Sequence, residues 1–111
     1  MIIGIEIDNI LSTPVSNFVA LTDVEKCKPL DGAKESIEKL KELGHTIVIY
    51  TLRDASLGPS TETWLQRNKI PYDRIILNKP NCDIIIDNRS YKFKDWSQFF
   101  EDNKYKLHNL R

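Results

Sequence analysis

Apolar and polar positions alternate along the chain in two kinds of block. "IIGIEID" (residues 2–8) and "HTIVIYT" (residues 45–51) are β-branched runs, which is the pattern of strands buried on both faces. "RIILN" and "DIIID" are two shorter runs of the same kind, with "KPNC" between them. The other blocks have helical spacing. In "AKESIEKLKELG", Ala33, Ile37, Leu40 and Leu43 share one face. Asp31 stands where an N-cap belongs, Glu35 and Lys39 have ion-pair spacing, and Gly44 is a C′ stop. "STETWLQRNK" predicts a short helix after Pro59, closed before Pro71. From Asp95, a second N-cap candidate, a helix is expected with Trp96, Phe99 and Phe100 on one side.

The order is β-α-β-α-β-β-α, which favours a mainly parallel sheet with helices on both faces: a single Rossmann-like, three-layer α/β/α domain. With 111 residues there is enough chain for one core and not for two, so residues 1–111 are expected to form one domain. Residues 11–31, with two prolines and several Ser and Thr, predict an irregular excursion. Residues 103–111 predict a frayed tail.

Charge and composition then narrow the partners. Sixteen basic residues balance sixteen acidic ones, so no long-range field draws the chain to nucleic acid or an anionic membrane. No apolar run approaches the roughly 18 residues of a membrane span. The start "MIIGIEIDNI" has no basic region of a secretory signal. Cys27 and Cys82 are far apart and lack metal-ligand spacing, so two reduced thiols and a cytoplasmic setting are expected.

Ligands of open α/β sheets sit beyond the carboxyl ends of the strands, so the residues there carry the chemistry. Glu6 and Asp8 close the first strand, and two residues apart they can converge. Thr51 closes the second, followed by Arg53. Lys79 comes just past the third, and Asp87, Asn88 and Arg89 follow the fourth. Taken singly, Asp8-Asn9 and Asp87-Asn88 also suit turns, Thr51 a strand-end cap and Lys79 a solvated loop. Together they make a set of hard oxygen donors with a hydroxyl and an ammonium. Such a set suits Mg²⁺, which binds through few carboxylates and keeps water and substrate phosphate as its other ligands. The lysine and hydroxyl can hold phosphate oxygens and neutralise charge during phosphoryl transfer. Asp83 reads as a solvent-facing strand start, with a metal role as the lesser alternative.

The stretches "IEIDNIL", "IVIYTLR", "NKP" and "IIIDNRS", in this order, resemble the four motifs of the haloacid dehalogenase superfamily of phosphotransferases. "GHTIVIYTLR", "IPYDRIILNKP" and "DIIIDNRSYKFKDW" look like the small phosphatase-like proteins of bacterial capsule and lipopolysaccharide loci. The resemblance runs from Ile2 to about Phe100. A receiver domain of two-component signalling uses similar groups, but its lysine comes last and its phospho-accepting Asp lies on a middle strand.

The resemblance implies an Mg²⁺ cofactor and a phosphorylated small molecule, such as a sugar phosphate, as substrate or ligand. It places Glu6 at the nucleophile and metal position, and Asp8 at the general acid–base and metal position. Thr51 takes the phosphate-binding hydroxyl, Lys79 the catalytic lysine, and Asp87 and Asn88 the metal anchors. Arg53 and Arg89 take substrate-binding places. It also implies a minimal cap and an open site, with selectivity supplied by contacts in a homo-oligomer or by a large partner substrate. Three residues depart from the pattern. Glu6 replaces an aspartate, Asn88 stands where a second Asp is common, and Asn9 replaces a glycine. Three functions are expected to compete: a protein that binds Mg²⁺ and a phosphorylated small molecule with catalysis compromised at Glu6 and Asn88, an active Mg²⁺-dependent phosphomonoester hydrolase or phosphotransferase in polysaccharide biosynthesis, and a non-catalytic regulatory or interaction module.

Overall fold

The structure is a computed structural model that describes residues 1–13, 24, 26–51, 55–76, 82–86 and 93–109. Four strands, β1 (Ile2–Glu6), β2 (Thr46–Tyr50), β3 (Arg74–Ile76) and β4 (Ile84–Ile86), form one sheet in the order β3-β2-β1-β4. Every neighbouring pair is parallel. Helix α1 (Ala33–Glu42) connects β1 to β2, α2 (Gly58–Arg67) lies between β2 and β3 after a 3₁₀ turn at Ala55–Leu57, and α3 (Trp96–Asn109) follows β4. The α/β, Rossmann-like class expected from the sequence is the observed one.

The register aligns Ile3 with Ile47 and Ile84, and Ile5 with Ile49 and Ile86. Because the side-chain period of a strand is two, these residues share one face. These residues belong to one apolar cluster with Ile37 and Leu40 of α1, Trp64 and Leu65 of α2, and Phe99 and Leu107 of α3. The opposite face carries Gly4, Val48 and Tyr50, which are buried, and Ile2, Thr46 and Arg74, which are exposed. Among the described residues, β3 and β4 each span three residues and flank the longer β2 and β1.

The helix ends show where local signals compete. Gly32, not Asp31, is the N-cap of α1. The Ala33 N–H donates to the Leu30 carbonyl at 3.1 Å, and Gly32 has φ 80° and ψ −3°. Those are the angles of the third residue of a type II turn, a place that favours glycine. Asp31 therefore belongs to the turn before the helix. Asp95 does cap α3, its Oδ1 accepting the Gln98 N–H at 2.8 Å, and residues 103–109 continue that helix, with Leu107 buried. Lys39 does not pair with Glu35. Its ammonium lies 4.3 Å from the ring centroid of Phe100, and the ion pair on α1 is Lys34–Glu38 at 3.1 Å. His45 is buried between termini: Nδ1 accepts from the Met1 amino group at 2.9 Å, which leaves Nε2 to donate to the Leu107 carbonyl at 3.0 Å.

Asp73 and Asp83 do the same work at two strand starts. The Asp73 N–H donates to the Ile47 carbonyl at 2.9 Å, and Asp73 Oδ2 accepts the Ile47 N–H at 2.7 Å. The Asp83 N–H donates to the Ile2 carbonyl at 2.8 Å, and Asp83 Oδ2 accepts the Ile2 N–H at 2.7 Å. Asp83 thus sits at the amino end of the sheet, where the Ile2 amide uses its carboxylate, and a metal role at the opposite rim is not open to it. Lys41 also reaches Asp73, at 2.6 Å and 2.7 Å.

That bond to Lys41, and then the one from the Ile47 amide, hold the Asp73 carboxyl below its ordinary value of 3.8. A carboxyl depressed on folding stabilises fully above its unfolded value, and the contribution disappears as pH falls through the lower folded value. Asp73→Ala is expected to cost about 1–3 kcal/mol at neutral pH. The larger share comes from the Ile47 amide left unpaired, because an exposed ion pair contributes little. Urea unfolding of both proteins from neutral pH to well below pH ~4 checks this: the gap between them narrows as the carboxyl is protonated.

Candidate functional site

Glu6 is the last residue of β1 and is half-buried. Ile7 continues the alternation and is fully buried, which anchors the backbone between the two acids. Asp8, also half-buried, follows on the far side of that anchor. The Ile7 carbonyl accepts the N–H groups of Ile10, Leu11 and Ser12 at 3.2, 2.9 and 3.1 Å. This folds the chain back immediately after Asp8, and the Asn9 N–H closes the turn onto the Ser12 carbonyl at 2.9 Å. Asn9 takes φ 67°. Asparagine enters this left-handed region more readily than most side chains, so Asn9 takes this turn position at small cost.

Buried side chains and a second segment hold the turn. Ile10, Leu11 and Ser12 are fully buried. The Leu11 carbonyl accepts the Leu30 N–H at 2.8 Å, and the Thr13 N–H donates to the Lys28 carbonyl at 2.8 Å. The Thr13 hydroxyl in turn accepts the Lys28 N–H at 2.9 Å. The Ile10 carbonyl accepts the indole N–H of Trp96 at 3.3 Å. Asp8 therefore sits on a loop pinned from α3 and from the approach to α1.

Thr51 lies on the adjacent strand, one residue past Tyr50, the register partner of Glu6. It is 1 % exposed, and its N–H donates to the Ile76 carbonyl at 3.2 Å, which ties the end of β2 to β3. Since strands rise about 3.3 Å per residue and lie about 4.8 Å apart, Glu6, Asp8 and Thr51 come to one rim of the sheet. The strand order gives that rim its importance. The chain moves from β1 to β2 and β3 on one side, then crosses to place β4 on the other side of β1. The reversal beside β1 is the topological switch point where open α/β sheets take ligands, beyond the carboxyl ends of the strands.

Arg53, Lys79, Asp87, Asn88 and Arg89, the remaining site residues expected from the sequence, lie outside the described residues. Among the described residues, no group of three or more His, Cys, Asp and Glu side chains is placed to hold a metal ion. The two rim carboxylates are still a fit for Mg²⁺, which takes one or two carboxylates and completes its shell with water and phosphate oxygens. Cys27 and Cys82 are thiols rather than half-cystines. No helix among the described residues is long and apolar enough to cross a membrane.

Sequence reasoning missed the part played by Trp96, which it placed only on an apolar face. A buried indole N–H needs an acceptor, so its residue type signalled a bond, but not one to the Ile10 carbonyl 86 residues away.

No family model and no curated protein matches the chain. Solved structures do. The chain is similar to a conserved protein from Bacteroides thetaiotaomicron, with TM-score 0.75 and 17% identity over 96% of this chain and 91% of that one. It is similar to a protein from Vibrio cholerae, with TM-score 0.65 and 24% identity over 96% and 93%. It is also similar to part of a chain in the Pnkp1/Rnl/Hen1 RNA repair complex, with TM-score 0.57 and 15% identity over 94% of this chain and 30% of that one. Likeness at these identities shows the fold: a small α/β domain that spans nearly all of the two bacterial proteins and a minor part of the third.

Proposed function

We propose that the rim at the carboxyl end of β1 binds Mg²⁺ and a phosphorylated small molecule in a haloacid dehalogenase-like phosphatase fold, and that Glu6 leaves it with little turnover. The observation that carries this reading is the placement of Glu6 and Asp8 at the end of β1, at the switch point of a β3-β2-β1-β4 sheet, with Thr51 on the neighbouring strand end. Two bacterial structures share this fold over nearly their whole length, which supports a small α/β scaffold for the site. Balanced charge gives no long-range attraction to a polynucleotide, so a small phosphomonoester such as a sugar phosphate is the better match.

In this reading Glu6 and Asp8 hold the metal, with Asp87 and Asn88 as further oxygen donors. When bound, Mg²⁺ supplies positive charge that neutralises phosphate oxygens. Thr51 binds phosphate by its hydroxyl, and Lys79, Arg53 and Arg89 supply cations to the same group. Asp8 is the acid that can donate or accept a proton at the ester oxygen.

Calorimetric titration with Mg²⁺, with and without inorganic phosphate, tests the binding. Wild type is expected to bind both, and Asp8→Asn to bind Mg²⁺ at least about tenfold more weakly, with little change in melting temperature, because one hard negative donor is lost. Wild type that takes up neither ion overturns the proposal.

A further inference from the structure

Ser12 is bridged to Asp8 across the turn after β1 and is fully buried. Its N–H donates to the Ile7 carbonyl at 3.1 Å, and its carbonyl accepts the Asn9 N–H at 2.9 Å. Those two bonds grip the peptide groups on either side of Asp8. Peptide groups are planar, so holding both fixes the two backbone dihedrals of Asp8. The direction in which its carboxylate leaves the backbone is then set by Ser12.

Ser12 also belongs to a short antiparallel pairing with Pro29. The Thr13 N–H donates to the Lys28 carbonyl and the Leu30 N–H to the Leu11 carbonyl, both at 2.8 Å. In a regular ladder the next bond runs from the Lys28 N–H to the Thr13 carbonyl, because opposed residues exchange both bonds. Here the Lys28 N–H donates to the Thr13 hydroxyl at 2.9 Å. The Thr13 carbonyl accepts the Ser12 hydroxyl, also at 2.9 Å. Two side-chain hydroxyls thus intervene where the ladder would close.

We propose that Ser12 is a positioning residue for Asp8. By engaging the Thr13 carbonyl, its hydroxyl ends the pairing at residue 13 and leaves the Ser12 peptide groups turned to Asp8. Without it, the Thr13 carbonyl takes the Lys28 N–H. That draws residues 12 and 13 toward 28 and loosens both bonds beside Asp8. The consequence for metal binding rests on the reading of the rim given above; the hold on the Asp8 backbone does not.

The test has two measurements on the full chain: residue-resolved amide exchange without metal, and calorimetric titration with Mg²⁺. In Ser12→Ala, exchange at the Asn9 and Ser12 amides is expected to rise at least about tenfold relative to the amides of β1. Mg²⁺ is expected to bind at least about fivefold more weakly, because one of its few carboxylates is no longer held in place. Ser12→Cys keeps the volume but offers only a weak S–H donor, so it should behave like Ser12→Ala. Recovery to wild type in Ser12→Cys would assign the effect to packing and overturn the proposal. Thr13→Val removes the acceptor of the Lys28 N–H and sends it to the carbonyl that Ser12 uses. It should give the same two changes with Ser12 intact, which keeps the test decisive if the Ser12 variants unfold. Exchange unchanged in both Ser12→Ala and Thr13→Val, or raised equally across β1, overturns the proposal. So does faster local exchange with unaltered Mg²⁺ affinity. Faster local exchange in a protein whose wild type takes up no Mg²⁺ supports the hold on Asp8 and overturns only the reading of the rim.

Discussion

Glu6→Asp is expected to raise phosphomonoester hydrolysis by about a hundredfold over wild type if the proposed site holds, because shortening the side chain by one methylene brings the carboxylate to the attacking position of that proposal. Basicity is not the reason. The ordinary pKa values of the two acids differ by only about 0.4, so both are ionised and comparably nucleophilic at neutral pH. Geometry is the reason. The extra methylene moves the carboxylate by roughly 1 Å, the scale of error that costs about two orders of magnitude in a near-attack arrangement. It also adds a rotor that must be fixed in the transition state.

The backbone cannot recede to absorb the difference. Glu6 is in register with Tyr50, and Ile5 and Ile7 on either side of it are fully buried. The measurement is phosphate release from a panel of sugar phosphates and an aryl phosphate with Mg²⁺, wild type beside the variant. Activity in the variant alone shows an intact pocket with a misplaced nucleophile. Equal activity in both shows that Glu6 attacks as it stands and that the protein is a hydrolase. No activity in either, together with no Mg²⁺ uptake, removes phosphoryl transfer from this rim.

The sequence carried the sheet because each strand is an apolar run that only burial explains, and it carried the rim because polar residues follow those runs abruptly. Glu6, Asp8 and Thr51 were legible for that reason. The face of α1 was largely legible as well: Ala33, Ile37 and Leu40 are buried as their spacing predicts, while Leu43, the fourth residue of that face, is the C-cap and only half-buried. What failed depends on partners distant in the chain. Lys39 has ion-pair spacing with Glu35, but Phe100, which captures its ammonium, is 61 residues away. Asp83 read as a strand start and Asp73 was not singled out, and their use on the Ile2 and Ile47 amides follows only from the strand order. Asp31-Gly32 combines a cap signal with a turn signal, and the need for φ 80° at Gly32 decided for the turn.

Trp96→Ala is expected to cost about 3–5 kcal/mol, the range for deleting a buried large aromatic, out of a total near 5–15 kcal/mol for a domain of this size. Trp96 is 5 % exposed and meets Phe93 and Phe99 edge-on, with ring centroids at 5.1 and 5.3 Å. Loss of this ring opens the contact between α3 and the loop after β1. Urea unfolding measures it as a large drop in midpoint. Trp96→Phe separates packing from position. It keeps an aromatic ring among its neighbours but removes the N–H that the Ile10 carbonyl accepts, a loss of about 1 kcal/mol. Ile10 lies two residues past Asp8, so if that bond sets the loop, Mg²⁺ affinity falls in Trp96→Phe by more than its small change in stability accounts for. Affinity equal to wild type would instead assign the loop position to the burial of Ile10 and Leu11, with the indole N–H serving only its own satisfaction.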